Sequence, residues 1–355
     1  MKWKYFTYTL LTLGIYTGLH LYIAWILSFI LPIPYFIIAI FVNLFAYIYI
    51  GGIKIPALKT AGSLWFACLP FFLIIFPAVH LLVFLLAVIF PFSNVVNGAA
   101  IAAGVLFIVY WGFGLYYAYT PVIRKYTIYL DRVSAPFSFA VASDMHFGGL
   151  SGSRHVKNLV KHVNPLDADV IFLCGDIVDD DPEIFKNKNQ HLLLSELKST
   201  SGIFAVTGNH EYYGNQISRL SKILEDSGIR LLEDETVHVE NIGWIIGRKD
   251  KTSKQRKSVR ELIPDNARPA IVLDHQPVSL DEIEQAGADI SLSGHTHRGQ
   301  IWPFHLITSR IFKLDWGYRR FGNLHAFVSS GFGFWGPPIR IGSQSEIMFV
   351  RVLQK

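Results

Sequence analysis

Five short groups of residues could carry chemistry. In chain order they are Asp144-Met145-His146, Gly175-Asp176, Gly208-Asn209-His210-Glu211, Asp274-His275 and Gly294-His295-Thr296-His297. Each follows directly on an apolar run of four to seven residues. Taken singly they are commonplace: Gly-Asp is frequent in turns, and a His-X-His can fall on a surface strand. Taken together, in this order and each at the end of an apolar run, they read as a metal site. Carboxylate, carboxamide and imidazole donors without thiolate suit manganese, iron or zinc. The donors suffice for two ions. Two metals about 3.5–4 Å apart are a standard device for phosphoryl transfer, polarising the phosphoryl oxygens and generating hydroxide at neutral pH. Cys174 lies inside an apolar run and reads as a small core residue.

Elements of a particular kind must bring these groups together. Phe137–Ser143, Val170–Cys174, Ile203–Val206, Ala270–Leu273 and Ile290–Leu292 read as short buried strands. Between the first two, Val156, Leu159, Val160 and Val163 recur at helical spacing, and Ile217–Leu224 suggests another helix, closed by Gly228. This alternation indicates layered α/β architecture. In an open α/β sheet the carboxyl ends of the strands converge on the ligand crevice. Gly175, Gly208 and Gly294 would permit tight turns and close backbone approach there. Further runs at Ile229–Leu232, Val237–Val239, Trp244–Gly247, Ala326–Ser329 and Glu346–Val352 leave little room for helices. They imply either a mixed sheet or a second sheet packed on the first. The polar stretch Arg248–Arg260 reads as a solvated loop or short helix.

The rest of the chain is of another kind. Of 355 residues, 51% are hydrophobic and 17% charged, against about 25% charged in an ordinary soluble domain. Such a composition excludes disorder, and two cysteines exclude a disulfide scaffold. The first acidic residue is Asp131, whereas residues 1–125 hold six basic ones, leaving 26 basic and 27 acidic for 126–355. The net charge of +5 therefore belongs to the apolar part and is no nucleic-acid footprint.

Four apolar stretches, Tyr5–Leu31, Pro34–Ile50, Leu64–Phe90 and Val95–Tyr119, fill that part. A span needs about 20 apolar residues; the second stretch lies near the lower limit. The first is too long for a signal peptide and lacks a small-residue cleavage site. Lys2 and Lys4, Lys54 and Lys59, and Arg124 and Lys125 all fall on one side of a four-span topology. Cytoplasmic loops carry the Lys/Arg excess, so both termini are expected inside. His20 and His80, within spans, read as neutral groups hydrogen-bonded in the bundle. The expected organisation is a four-helix transmembrane domain over 1–125 and an α/β domain over 126–355. The whole is expected to be a multi-pass membrane protein with its α/β domain in the cytoplasm.

The five groups resemble the calcineurin-like metallophosphoesterase superfamily, whose pattern runs DxH, GDxxD, GNH[DE], H, GHxH. Here it reads Asp144-Met145-His146, Gly175-Asp176-Ile177-Val178-Asp179, Gly208-Asn209-His210-Glu211, His275 and Gly294-His295-Thr296-His297. The resemblance covers about 137–355, and the text around Gly294–Phe304 and Ser330–Gly342 is similar to a bacterial membrane-associated branch. It implies a four-layer αββα sandwich and two divalent ions, manganese first among the candidates. Asp144, His146, Asp176 and His297 would hold one ion, and Asp176, Asn209, His275 and His295 the other. Asp176 would bridge them together with a hydroxide. His210 would bind no metal but would stabilise the transition state or protonate the leaving oxygen. Glu211, Asp179 and Asp274 are candidates to receive the second N–H of ligand histidines. The branch usually carries Gly where this chain has Arg298; that Arg either grips a substrate phosphate or points to solvent.

The implied activity is hydrolysis of a phosphoester or pyrophosphate by metal-activated hydroxide, on a small-molecule or lipid-linked substrate and not on nucleic acid. Residues 302–321 mix aromatics with Arg310, Lys313, Arg319 and Arg320, which suits either a contact with membrane lipids or an ordinary packed loop. The alternative from another class is a membrane sensor or transporter whose metallophosphoesterase-like domain is regulatory and non-catalytic.

Overall fold

Four helices precede the first strand: α1 (Lys2–Ile30), α2 (Tyr35–Ile50), α3 (Pro56–Leu86) and α4 (Phe92–Tyr119). The structure is a computed structural model, and it describes residues 2–50, 55–131 and 133–355. Lys54, one of the expected orientation charges, lies outside them. Phe6–Ile30, Thr60–Leu86 and Phe92–Tyr119 are long and apolar enough to cross a membrane. The apolar part of α2, Tyr35–Ile48, falls among the shorter helices, so length and composition single out three spans where the sequence suggested four. The two histidines of the bundle each have a hydrogen-bond partner at Nδ1. His20 Nδ1 lies 2.7 Å from the Tyr16 carbonyl, and His80 Nδ1 lies 3.2 Å from Tyr22 Oη.

The chain divides into two units, Met1–Phe113 and Gly114–Lys355. The second contains twelve strands among the described residues: β1 (Val122–Leu130), β2 (Phe137–Ala142), β3 (Val170–Cys174), β4 (Ile203–Val206), β5 (Ile229–Leu232), β6 (Glu235–Val239), β7 (Gly243–Gly247), β8 (Ala270–Leu273), β9 (Ile290–Ser293), β10 (Gly317–Phe321), β11 (Leu324–Val328) and β12 (Glu346–Gln354). They form two six-stranded sheets, ordered β1-β12-β2-β3-β4-β5 and β10-β11-β9-β8-β7-β6.

Period-two alternation decides which way each strand faces. In β3, Val170, Phe172 and Cys174 join one apolar cluster with Phe139, Ile271, Leu292 and Phe327, which draws on both sheets. The alternate residues Ile171 and Leu173 join another, with Val156, Leu159 and Val163 of α5 (Ser153–Val163). In β8, Ala270 and Val272 likewise face Leu280 and Ile283 of a helix beyond the second sheet. The result is helix, sheet, sheet, helix, the four-layer αββα sandwich that the resemblance implies, with apolar clusters on both faces of each sheet. Strands buried on both faces are continuous apolar runs, which is why the sequence marks them so clearly.

β1 is among the strands that depart from this pattern. It pairs in parallel with β12, from Val122 opposite Glu346 to Leu130 opposite Gln354. Arg124 and Lys125, taken from the sequence as the flank of a span, are strand residues. The stretch Arg248–Arg260 also departs from a solvated face. Arg248 is buried, and it and Arg256 converge on the buried carboxylate of Asp274.

Candidate metal centre

The parallel neighbours β2, β3 and β4 end side by side, as do β8 and β9 in the other sheet. Asp144 and His146 follow β2, Asp176 follows β3, Asn209 and His210 follow β4, His275 follows β8, and His295 and His297 follow β9. Ligand atoms of Asp144, His146 and His297 lie within 4.8 Å of one another, and so do those of Asp176, His275 and His295. One oxygen stands between the groups: Asp176 Oδ2 is 3.2 Å from His275 Nε2 and 3.8 Å from His146 Nε2.

The turns that aim these side chains are strained. Asp144, His146, Asp176, His295 and His297 have φ of 54°, 47°, 49°, 72° and 48°. Few non-glycine residues occupy that left-handed region, and such residues gather where the surroundings over-determine the backbone. Glu211 is one such surrounding. Its carboxylate accepts the backbone N–H groups of Asp176, Ile177, Val178 and Gly208, at 2.6–3.1 Å. It therefore braces two turns and does not receive a ligand histidine. Asp144 is fixed from three sides. It donates its N–H to Gly175, accepts the His295 N–H at 2.9 Å, and gives its carbonyl to the N–H of Gly333.

Two glycines are required by proximity. A Cβ on Gly208 would lie 2.1 Å from Asp176 Oδ1, and one on Gly294 2.3 Å from Asp144 Oδ2.

The electrostatics favour a cation. Burial drives the pKa of His146 down to about 3 and, with the charge of His275, that of His295 to about 4. Burial and then the Arg340 guanidinium hold His297 well below the imidazole range. All three are thus neutral, the form in which imidazole binds a metal. Asp176 stays ionised despite its burial, because the charge and hydrogen bond of His275, and the charge of His210, hold its carboxyl well below the usual range. Burial and then the Asp176 charge lift Asp144 to about 6.

The donor set fits divalent ions on a second ground. Asn209 Oδ1 is buried with no hydrogen-bond partner, and buried His275 Nε2 has only the Asp176 carboxylate before it, at 3.2 Å. His275 Nδ1 lies 2.7 Å from the Cys174 carbonyl, leaving Nε2 turned to Asp176. A bare carboxamide oxygen and an imidazole nitrogen facing a carboxylate call for positive charge between them.

His210 sits beside this cluster, its ring 4.6 Å from that of His146. Its Nδ1 lies 2.7 Å from Asp180 Oδ1 and 3.6 Å from Asp179 Oδ1. Asp179, which the sequence offers as a partner for a ligand histidine, thus lies near His210, and Asp180 is the tighter partner there. Burial opposes protonation of His210, but the Asp180 hydrogen bond and the Asp176, Asp180 and Asp179 charges carry its pKa to about 9. Asp274, also a sequence candidate, binds Arg248 and Arg256 instead. Arg298 does not point freely to solvent: its guanidinium stacks over the Trp316 ring at 3.9 Å.

Sequence reasoning missed Arg340. It is fully buried, and Nη2 lies 3.2 Å from His297 Nδ1.

Comparison with known proteins follows the same residues. The family model for calcineurin-like phosphoesterases matches residues 137–299. An uncharacterized metallophosphoesterase of Helicobacter pylori (strain J99) is 36% identical over 243 residues, covering 66% of this chain and 65% of that protein. One from Aquifex aeolicus is 30% identical over 245 residues, covering 66% of this chain and 92% of its own. A Bos taurus protein named transmembrane protein with metallophosphoesterase domain is 32% identical over 227 residues, covering 58% of this chain and 50% of that one. The match thus spans less than two thirds of the Helicobacter and Bos taurus proteins.

Proposed function

The chain belongs to the calcineurin-like metallophosphoesterase family, and from that premise we propose that it is a membrane-borne, metal-dependent phosphoesterase. The observation that carries this is Asp176 Oδ2, which faces His275 of one ligand group and His146 of the other. Asp144, His146, Asp176 and His297 would hold one divalent ion, and Asp176, Asn209, His275 and His295 a second. Such a pair supplies Lewis acidity at the phosphoryl group and a nucleophile at neutral pH.

The protein's own groups do the rest. Neutral His146, His295 and His297 present lone pairs. Ionised Asp176 offsets positive charge at the centre. His210, with Nδ1 engaged by Asp180, keeps a proton on Nε2 for the leaving oxygen. Burial of the ligands excludes bulk water from one side of the site.

The chain would cross the membrane four times, with α2 as a short span and the Lys and Arg residues on the cytoplasmic face. The substrate would be a phosphoester or pyrophosphate, lipid-linked or small. Turnover of a chromogenic phosphodiester by purified protein with and without Mn²⁺ tests the activity. Metal-dependent hydrolysis is expected; folded, metal-loaded protein without turnover would overturn it. A reporter fused at the C-terminus and active only outside the cytoplasm would overturn the orientation.

A further inference from the structure

Five large apolar side chains stand exposed beside the metal centre. Trp302 is 45% exposed, Leu306 46%, Ile307 53%, Ile311 67% and Trp335 43%. Three of them lie on the helix His305–Ile311. That helix is built against the ligand loop: a Cβ on Gly299 would meet the His305 backbone at 2.3 Å, and Phe312 beyond its end packs on the His295 ring at 6.0 Å between centroids. Gln300 ties in Trp335 through hydrogen bonds of 2.9 and 2.8 Å to its backbone. The patch is therefore the rim of the site. Exposed apolar surface gathered in this way marks an interaction surface.

What covers it follows from the neighbouring chain. The residues of α4 from Gly114 onward belong to the same unit as the patch. Gly114 accepts the Arg340 N–H at 2.9 Å, and Tyr117 accepts that of Ser345 at 2.9 Å. Ile341, next to Arg340, accepts the Trp302 N–H at 2.7 Å, and its side chain comes within 3.3 Å of a Cβ placed on Gly114. Trp302 is thus one backbone pairing away from the segment seated on the end of an apolar helix long enough to span. On that helix end Leu115 and Tyr116 are themselves 40% and 55% exposed. Charge agrees. No Asp or Glu occurs in 290–314 or 329–345, while the helix carries Arg310. Tryptophan beside basic and aliphatic residues is the composition of a membrane interface.

We propose that the helix His305–Ile311, with Trp302 and Trp335, lies in the headgroup region of the bilayer that α4 crosses. The metal centre then opens on the lipid surface and takes phosphate esters borne by membrane amphiphiles. The substrate clause rests on the phosphoesterase reading; the placement of the helix does not.

The full chain is reconstituted in phosphatidylcholine vesicles containing phosphatidylglycerol. A nitroxide is attached at Ile307→Cys, at Ile311→Cys or, as control, at Leu192→Cys, an exposed site on another helix. Cys68 and Cys174 are buried and escape labelling. Labels at 307 and 311 should be relaxed by oxygen and shielded from a nickel chelate, with the reverse at 192. Nickel access at 307 and 311 equal to that at 192 would overturn the placement. Shielding from both reagents would also overturn it, since it means a second protein surface covers the patch.

The substrate clause is read by turnover of a vesicle-borne phosphate ester against a soluble one. Ile307→Asp should lower that ratio about tenfold, the equivalent of one lost apolar contact. Hydrolysis of the soluble ester alone by the unaltered protein would sink the clause. Labels in lipid with neither ester hydrolysed would uphold the placement and bring down the phosphoesterase reading instead.

Discussion

Arg340 Nη2 lies 3.2 Å from Nδ1 of His297, and the same guanidinium donates to the carbonyls of Gly331 and Gly333. Gly333 in turn donates its N–H to Asp144, and Phe332 donates to Ser143. A single buried side chain thus holds the loop that backs two residues of one ligand group. Having no carboxylate of its own, the cation is kept by carbonyls, and burial lowers its pKa to about 10.

Arg340→Met should therefore uncouple that loop. Buried carbonyls lose their donors, at about 1–3 kcal/mol each, and the thermal midpoint should fall by roughly 5–10 °C. Divalent-ion affinity should weaken about 10–100-fold, as when outer hydrogen-bond partners of metal ligands are removed. Arg340→Lys keeps the charge but not the planar fork and should recover part of the affinity. Calorimetric titration with Mn²⁺ measures this; unchanged affinity in the Met variant would refute the role.

His210 and Asp180 should separate chemistry from metal binding. His210→Ala is expected to reduce turnover by about 10²–10⁴, the usual worth of a general acid, with metal content unchanged. Asp180→Asn removes one of the negative charges that raise the His210 pKa to about 9 and leaves only a neutral acceptor for its Nδ1. A raised pKa means the protonated form is favoured in the folded state. Its contribution is complete below about 6.5 and is lost as pH rises through the folded value. The alkaline limb of kcat/KM should accordingly move to lower pH in Asp180→Asn. A limb that stays in place would show that another group donates the proton.

Gly208 has φ of −106°, open to any residue, so only sterics act there. Gly208→Ala would drive a methyl group into Asp176 Oδ1, 2.1 Å away. Displacement of a reacting constellation by about 1 Å costs on the order of a hundredfold. Turnover should fall by about that factor and metal stoichiometry should drop, with the circular dichroism spectrum unchanged. Gly149→Ala, with nothing within 4 Å of the added carbon, is the neutral control.

What the sequence reveals depends on whether the cause is local. Each ligand adjoins its own strand, so strand and ligand are legible in one short window, as at Val170–Cys174 and Asp176. Arg340 stands 43 residues beyond His297, in a loop without periodicity, and nothing nearby in sequence announces its partner. β1 is hidden for the same reason. Its first half is only partly buried and carries basic and aromatic residues, and Arg124 is held by Glu346, 222 residues away. Asp179 and Asp180 are adjacent acids that only the turn after β3 tells apart. The two-sheet arrangement lies between these cases: the runs were visible, and their division into sheets is a matter of long-range pairing.

β12 is the last of the twelve described strands in chain order, yet it lies second from the edge of its sheet, between β1 and β2. During synthesis every ligand from Asp144 to His297 leaves the ribosome before it. Until β12 inserts, β1 has no partner and the edge of β2 stays open. Contacts of such large sequence separation form slowly. Assembly of this sheet is therefore completed only after the metal ligands have already been made.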